Sequence, residues 1–350
     1  MKESVKPLTI AVTGLNAIDS PGPGVAVIRA LREGLNRPVK IIGLSYETLE
    51  PGIYMHDVVD KTYQVPYPAA GSETLLKRLQ YIHSKENLQL IIPNFDAELH
   101  NFIRLAQVLK TMGIATFLPT PEQFEARDKV NLYKFGEKHG LIVPKDKIIN
   151  TISGLNSCEE EFGFPLVVKG KFYDAIIAHT MEQAQKAFYK LSAKWGLPII
   201  VQEFITGTEI NIAVLGDGRG NAVSVIPMRK LYITDKGKAW AGITLEDEAL
   251  IKVASDFVKA TSWKGGCELE IMKTGKGELY IMEINPRFPA WIYLSAAAGQ
   301  NQPASLARMA LNEEQPLYKE YAVGKIFVRY SWDHITDINE FHQISGKGEL

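Results

Sequence analysis

Two glutamates and an asparagine frame the chemistry open to this chain. In "CELEIMKTGKGELYIMEINPRFPA", Glu270 precedes a turn centred on KTGKG, while Glu283 and Asn285 follow it. Residues two apart on a strand share a side, so counting outward from the turn sets Glu270 roughly across from Glu283, with Asn285 one step further along. Two carboxylates and an amide oxygen are a hard, oxygen-only donor set. Mg2+ takes such a set while keeping waters and sharing its sphere with phosphates. Arg287, next on the same face, is suited to a bidentate contact with a carboxylate or phosphoryl group. Each of these groups is costly to bury at the end of an apolar strand unless an opposite charge meets it.

Cations suited to a polyphosphate occur upstream. Lys169 ends the apolar run FPLVVKG, where an ammonium asks for an anion. Lys129, in ARDKVNLYKFG, reads by itself as an ordinary helix lysine. In IIVQEFITGTEINIAVL, the backbone around Glu203 and Ile205 is able to read an adenine edge, and Glu209 is able to accept from ribose hydroxyls. Alone, that stretch is an unremarkable acidic strand end. MRKLYITDKGKAW adds Arg229, Lys230, Lys236 and Lys238.

The elements that must position these residues fall into two textures. From the first residue to about 120, the strand-like runs LTIAVTG, VKIIGLS, LQLIIPN and IATFLP alternate with helical patterns. That order predicts a doubly wound α/β domain with a parallel sheet, which binds ligands at the carboxyl ends of its strands. The glycines of TGLNAIDSPGPG after the first run do not follow Gly-x-Gly-x-x-Gly, so a tight strand-to-helix turn is favoured over a dinucleotide site. From Pro121, proline-bounded helices give way to FPLVVKGKFYDAIIAHT, LPIIVQEFI and a hairpin around GDGRGN, which predicts antiparallel sheet plus helices. After the helix QPASLARMALNEE, the run VGKIFVRYSW reads as one more strand. The final ISGKGEL reads as polar turn, compatible with a piece of a longer protein.

Composition narrows the function classes. With 350 residues, 46% hydrophobic and 23% charged, the chain reads as globular, with two or three domains. A formal charge of −1 offers no global field for nucleic acid or an anionic membrane. Cys158 and Cys267 have no Cys-x-x-Cys context, against disulfide or zinc frameworks. No run approaches the roughly 18 apolar residues of a membrane span, and the expected location is the cytoplasm.

Taken in order, a lysine before the small subdomain (Lys129), FPLVVKG, VQEFITGTEI and ELEIMKTGKGELYIMEINPR resemble the ATP-grasp superfamily, especially the large chain of carbamoyl-phosphate synthases and its stand-alone relatives. The resemblance runs from the first strand to about residue 315. It implies a pre-ATP-grasp α/β domain (1–120), an α+β ATP-grasp domain (121–315) with a small lid subdomain at about 150–205, and a C-terminal strand and tail (316–350). It implies ATP and Mg2+ as cofactors. Lys129 and Lys169 would contact phosphates, Glu203 and Ile205 the adenine, and Glu209 the ribose. Glu270, Glu283 and Asn285 would hold Mg2+. Arg287 would steady an acyl phosphate, and Arg229 or Lys230 would touch phosphate or the acceptor carboxylate. The implied reaction is an ATP-dependent ligation of a small-molecule or peptide carboxylate, to an amine by preference, and a homodimer is allowed. Bicarbonate or carbamate phosphorylation and a non-catalytic nucleotide-binding regulator are the alternatives. Acceptor selection is expected around Asn94 to His100 and near Trp291. One departure stands out: the lid region reads KGKFYDAIIAHT, with Gly170 its only glycine and Lys171, Tyr173 and His179 where relatives are glycine-rich.

Overall fold

The computed structural model describes residues 6–18, 20–171 and 174–350. The chain divides into two compact units: residues 1–121, 212–268 and 285–350 form the first, and 122–211 and 269–284 the second.

In the first unit, β1 (Leu8–Val12), β2 (Val39–Ser45), β3 (Lys61–Gln64) and β4 (Leu90–Ile92) form a parallel sheet in the order β3-β2-β1-β4. β1 and β4 are buried throughout, as expected of strands covered on both faces by helices. β3 went unread in the sequence because KTYQ offers no apolar run; Thr62 and Tyr63 are its buried residues. IATFLP makes a single bridge, Leu90 to Ala115, rather than a strand, and Pro119 and Pro121 bar its extension. The helix Pro23–Gly34 packs on the helix Gln302–Ala310 so closely that a Cβ on Gly34 would stand 2.4 Å from Asn301. There Asn301 Nδ2 donates to Ala30 O (2.8 Å) and Arg308 to Gly34 O (2.6 Å).

The second unit holds β5 (Asp146–Ile149), β6 (Leu166–Lys169), β7 (Ala175–Ala178) and β8 (Ile199–Glu203), an antiparallel sheet in the order β5-β8-β6-β7. Helices Gly154–Phe162 and Met181–Trp195 cover it, and Leu155, Leu166, Val168, Ile199 and Val201 make its core. The remaining strands are β9 (Thr208–Asp217), β10 (Ala222–Ile233), β11 (Ala239–Thr244), β12 (Lys264–Lys273), β13 (Leu279–Asn285) and β14 (Ile326–Val328). They form a sheet in the order β13-β12-β9-β10-β11-β14.

The GDGRGN turn joins β9 to β10 as its composition suggests. Gly218 and Gly220 take positive φ, and Asp217 Oδ1 accepts the N–H groups of Arg219 and Asn221. The tail differs from a plain turn. Asp337 caps a helix, Ile338–Lys347, that buries Ile344, and Leu350 then pairs with Thr62 at the edge of β3. Among the described residues, no helix is long and apolar enough to cross a membrane.

Candidate functional site

The second unit gathers a set of opposed charges around Lys169. β6 ends at this lysine, and β8 runs beside it with Gln202 buried at 3% exposure. Lys169 Nζ donates to Gln202 Oε1 at 2.6 Å, a neutral partner for a desolvated ammonium. Burial first, and then Lys129, pull the Lys169 ammonium from its usual 10.5 down to about 8; Glu283, Asp146 and Glu270 pull the other way. The charged form is therefore undersupplied with anions. Asp146, at the head of β5, is pushed by burial up to about 6 against Lys169 and Lys134, and its Oδ2 is buried without a hydrogen-bond donor. Lys129, Lys169, Glu270 and Glu283 thus share one electrostatic neighbourhood. Asp146 and Gln202 belong to it too and were missed in the sequence, where PKDK and VQEF carry no motif.

The other residues expected at a nucleotide have simpler settings. Glu203 accepts from Lys145 N at 2.7 Å, Ile205 lies in the extended link between β8 and β9, and Glu209 is exposed on β9. In the lid region Lys171 and His179 are exposed, with His179 N donating to Gln183 Oε1; Tyr173 lies outside the described residues.

Asn285 and Arg287 belong to the first unit, around Glu268. This carboxylate, 7% exposed, accepts from Trp291 Nε1 at 2.8 Å, meets Asn285 Nδ2 at 3.4 Å and lies 3.7 Å from Arg287 Nη1. Arg287 Nε also donates to Asp96 Oδ2 at 2.9 Å. Two carboxylates therefore fix the orientation of the guanidinium. The expected acceptor-selecting stretches supply two of these partners, Asp96 and Trp291. Arg329, just past β14, joins the same cluster: burial lowers its pKa while Glu268 opposes the shift, and it bonds Ser20 after β1. No sequence signal marked Arg329; Glu268, two residues before Glu270, reads in the sequence as a solvated strand glutamate, but the structure buries it. A pocket lined by Ile92, Pro93, Leu99, Phe117, Gly266 and Arg287 opens beside the cluster. Arg229 is exposed on β10, and Lys230 donates to Gly237 O at 3.2 Å across the turn to β11.

Residues 197–331 match the family model described as ATP-grasp in the biosynthetic pathway with Ter operon. Over that stretch the chain is similar to the ATP-grasp family. The resemblance read in the sequence is borne out by that match and by relatives across the chain. It is 24% identical over 269 residues to a carbamoyl phosphate synthase large chain of Clostridium botulinum, covering 69% of this chain and 23% of the relative. It is 23% identical over 172 residues to a D-alanine–D-alanine ligase of Ectopseudomonas mendocina, covering 46% of this chain and 55% of the relative. The chain therefore spans under a quarter of the first relative and little over half of the second.

Solved structures similar to it include a biotin carboxylase complex from Campylobacter jejuni, with a TM-score of 0.71, 15% identity, and 92% and 74% of the two chains covered. An N5-carboxyaminoimidazole synthetase from Staphylococcus aureus gives a TM-score of 0.69 at 14% identity, over 92% and 82%. At such identities these neighbours show the shared fold alone.

Proposed function

We propose that this protein is an ATP-dependent carboxylate ligase that activates a carboxylate as an acyl phosphate and passes the acyl group to an amine. The observation that carries the reading is the Lys169 ammonium, half-buried beside Lys129 and short of anions, as a polyphosphate subsite requires before its ligand arrives. Family relatives that are ligases, and a neighbour solved with MgADP, support ATP and Mg2+ as the cofactors.

The donor chemistry fits the metal. Glu270 and Glu283 supply carboxylates, and Asn285 an amide oxygen two residues on along β13. A Mg2+ held by Glu270, Glu283 and Asn285 would supply charge neutralisation to the phosphoryl transfer. Lys129 and Lys169 bind phosphate oxygens, with Gln202 holding the Lys169 ammonium in place. The backbone near Glu203 and Ile205 takes the adenine and Glu209 the ribose. A substrate carboxylate oxygen attacks the γ-phosphorus, ADP leaves, and an amine nitrogen then displaces phosphate from the acyl carbon. Arg287, held by Asp96 and Glu268, steadies the acyl phosphate, and Arg229 or Lys230 meets the acceptor carboxylate. The substrates are small-molecule or peptide carboxylates and amines.

The test is ADP release with Mg-ATP across a panel of carboxylates, each with and without amines. Release that depends on both partners supports the ligase. ATP binding with no release for any pair would overturn it in favour of a nucleotide-binding regulator, the reading to which the glycine-poor KGKFYDAIIAHT stretch lends weight. Release with bicarbonate alone would point to carbamoyl-phosphate-type chemistry.

A further inference from the structure

The carboxyl edge of the four-stranded parallel sheet holds a cluster that the phosphate chemistry leaves unused. Thr13 follows β1, Tyr46 follows β2, and Asn94 stands two residues past β4. Glu98, fully buried in the first turn of the helix Asp96–Thr111, ties them together. Its Oε1 accepts from the Thr13 hydroxyl and from the N–H groups of Asn94 (2.8 Å) and Phe95 (2.9 Å); its Oε2 accepts from the Tyr46 hydroxyl. With four donors, Glu98 is spoken for.

Its neighbours are not. Glu50, 3% exposed, uses Oε1 to accept the N–H groups of Tyr46 (2.8 Å) and Glu47 (3.1 Å), while its Oε2 is buried with no donor. Asn94, 1% exposed, donates both Nδ2 hydrogens back to the strand ends, at Thr13 O and Ile92 O, and its Oδ1 takes no part in either bond. That oxygen also lacks a donor, as does the fully buried Ser45 Oγ. None of Glu47, Glu50 and Glu98 forms an ion pair with a cation among the described residues. Burial pushes the Glu50 carboxyl up to about 7, with Glu98 and Glu47 adding to the shift.

Aromatic faces complete the picture. Tyr46 stacks on Tyr67 at 6.1 Å between centroids and meets Phe95 at 6.0 Å, and the Tyr67 hydroxyl donates to Glu47. Tyr67 and Glu47 are exposed, whereas Glu50 and Asn94 are buried, so the cluster runs from the surface inward. Carboxylates without a cation, orphaned oxygen acceptors and π-faces are the complement of an organic ammonium, which brings N–H donors and positive charge together. A further acceptor would leave Glu50 Oε2 and Asn94 Oδ1 still without a donor.

We propose that this edge binds a small organic ammonium, with Glu50 Oε2 and Asn94 Oδ1 as acceptors and Tyr46, Tyr67 and Phe95 as its aromatic wall. Its identification as the amine substrate rests on the ligase reading above.

The experiment is calorimetric titration of the full chain with ethanolamine, 1,4-diaminobutane and L-lysinamide, and with pentanoate as the anionic control. At least one amine binds the wild type, and binding weakens tenfold or more in Glu50→Gln and in Tyr67→Ala, the second placed at an exposed ring that leaves the fold intact; pentanoate does not bind. No amine binding, equal binding in wild type and both variants, or preference for pentanoate overturns the site. ADP release measured on the same samples separates the two readings. Amine binding lost in the variants with no ADP release from any sample keeps the ammonium site and sinks the ligase; amine-dependent ADP release unaltered in both variants keeps the ligase and sinks the site.

Discussion

Glu86 and Lys169 are both charges taken out of water, and their surroundings treat them in opposite ways. In the first unit, Lys40 (2.6 Å), Lys61 (2.8 Å) and the Tyr63 hydroxyl (2.5 Å) all donate to Glu86. Against the pull of burial, these bonds hold its carboxyl down at about 2. In the second unit, burial and Lys129 prevail over Glu283, Asp146 and Glu270, and the Lys169 ammonium falls to about 8. A charge that its neighbours stabilise supports the fold, whereas a charge that its neighbours leave uncomfortable awaits a ligand. Arg287 lies between these cases: Asp96 and Glu268 fix its direction before any substrate arrives.

The strongest way to break this contrast is at the metal carboxylates. Glu283→Gln is expected to cut amine-dependent ADP release by at least about a hundredfold, the scale of losing one charge-stabilising group in a transition state, with the thermal midpoint little changed. Full turnover in that variant would remove the metal assignment.

Lys169→Met and Glu86→Gln form the sharpest pair. Lys169→Met should lose turnover by roughly a hundredfold yet fold at least as stably as the wild type at pH 7. The folded-state pKa of this lysine lies below its unfolded value, so its charged form costs stability fully below about pH 8, and the cost lapses as pH rises through 10.5. Glu86→Gln should keep turnover and lose on the order of 2 kcal/mol at pH 7. Its folded-state pKa is depressed, so that stability is present above about 4.5 and disappears as pH falls through 2. Urea melts of both variants at pH 3, 7 and 9 read these opposite slopes; parallel slopes would refute the contrast.

Asp96→Asn tests the intermediate case. It should reduce turnover by about tenfold through a looser Arg287, with ATP affinity unchanged, and a fall in ATP affinity would place Asp96 elsewhere in the mechanism. The smallest effect is expected for Lys61→Met, which removes a half-exposed donor from Glu86 and should cost about 0.5–1 kcal/mol in denaturant melts. A loss as large as that of Glu86→Gln would show that the pair is not screened by solvent.

How much of this was legible in the chain depends on whether the signal was local. The runs LTIAV and VKIIGLS announced β1 and β2 because burial on both faces demands unbroken apolar residues. KTYQ did not announce β3, since an edge strand needs only Thr62 and Tyr63 inside. The final helix hid in a polar tail because its start is an Asp337 cap and its anchor a single buried Ile344. At the site, Lys169 was readable as a lysine closing a buried strand. Asp146, which faces it, was not, because its role comes from pairing β5 with β8.

The sequence by itself determined the strongly apolar strands, the two hairpins, and the set of side chains able to handle a metal and a phosphate, since these follow from the two-residue period of strands and from turn chemistry. Only the tertiary structure decided which charges meet. Arg287 finds Asp96 across 191 residues of chain, Glu268 collects Trp291 and Arg287, and Lys169 meets Gln202 rather than a carboxylate. Coulombic and hydrogen-bond energies depend on distance and burial in space, and neither is written in the spacing of residues along the chain.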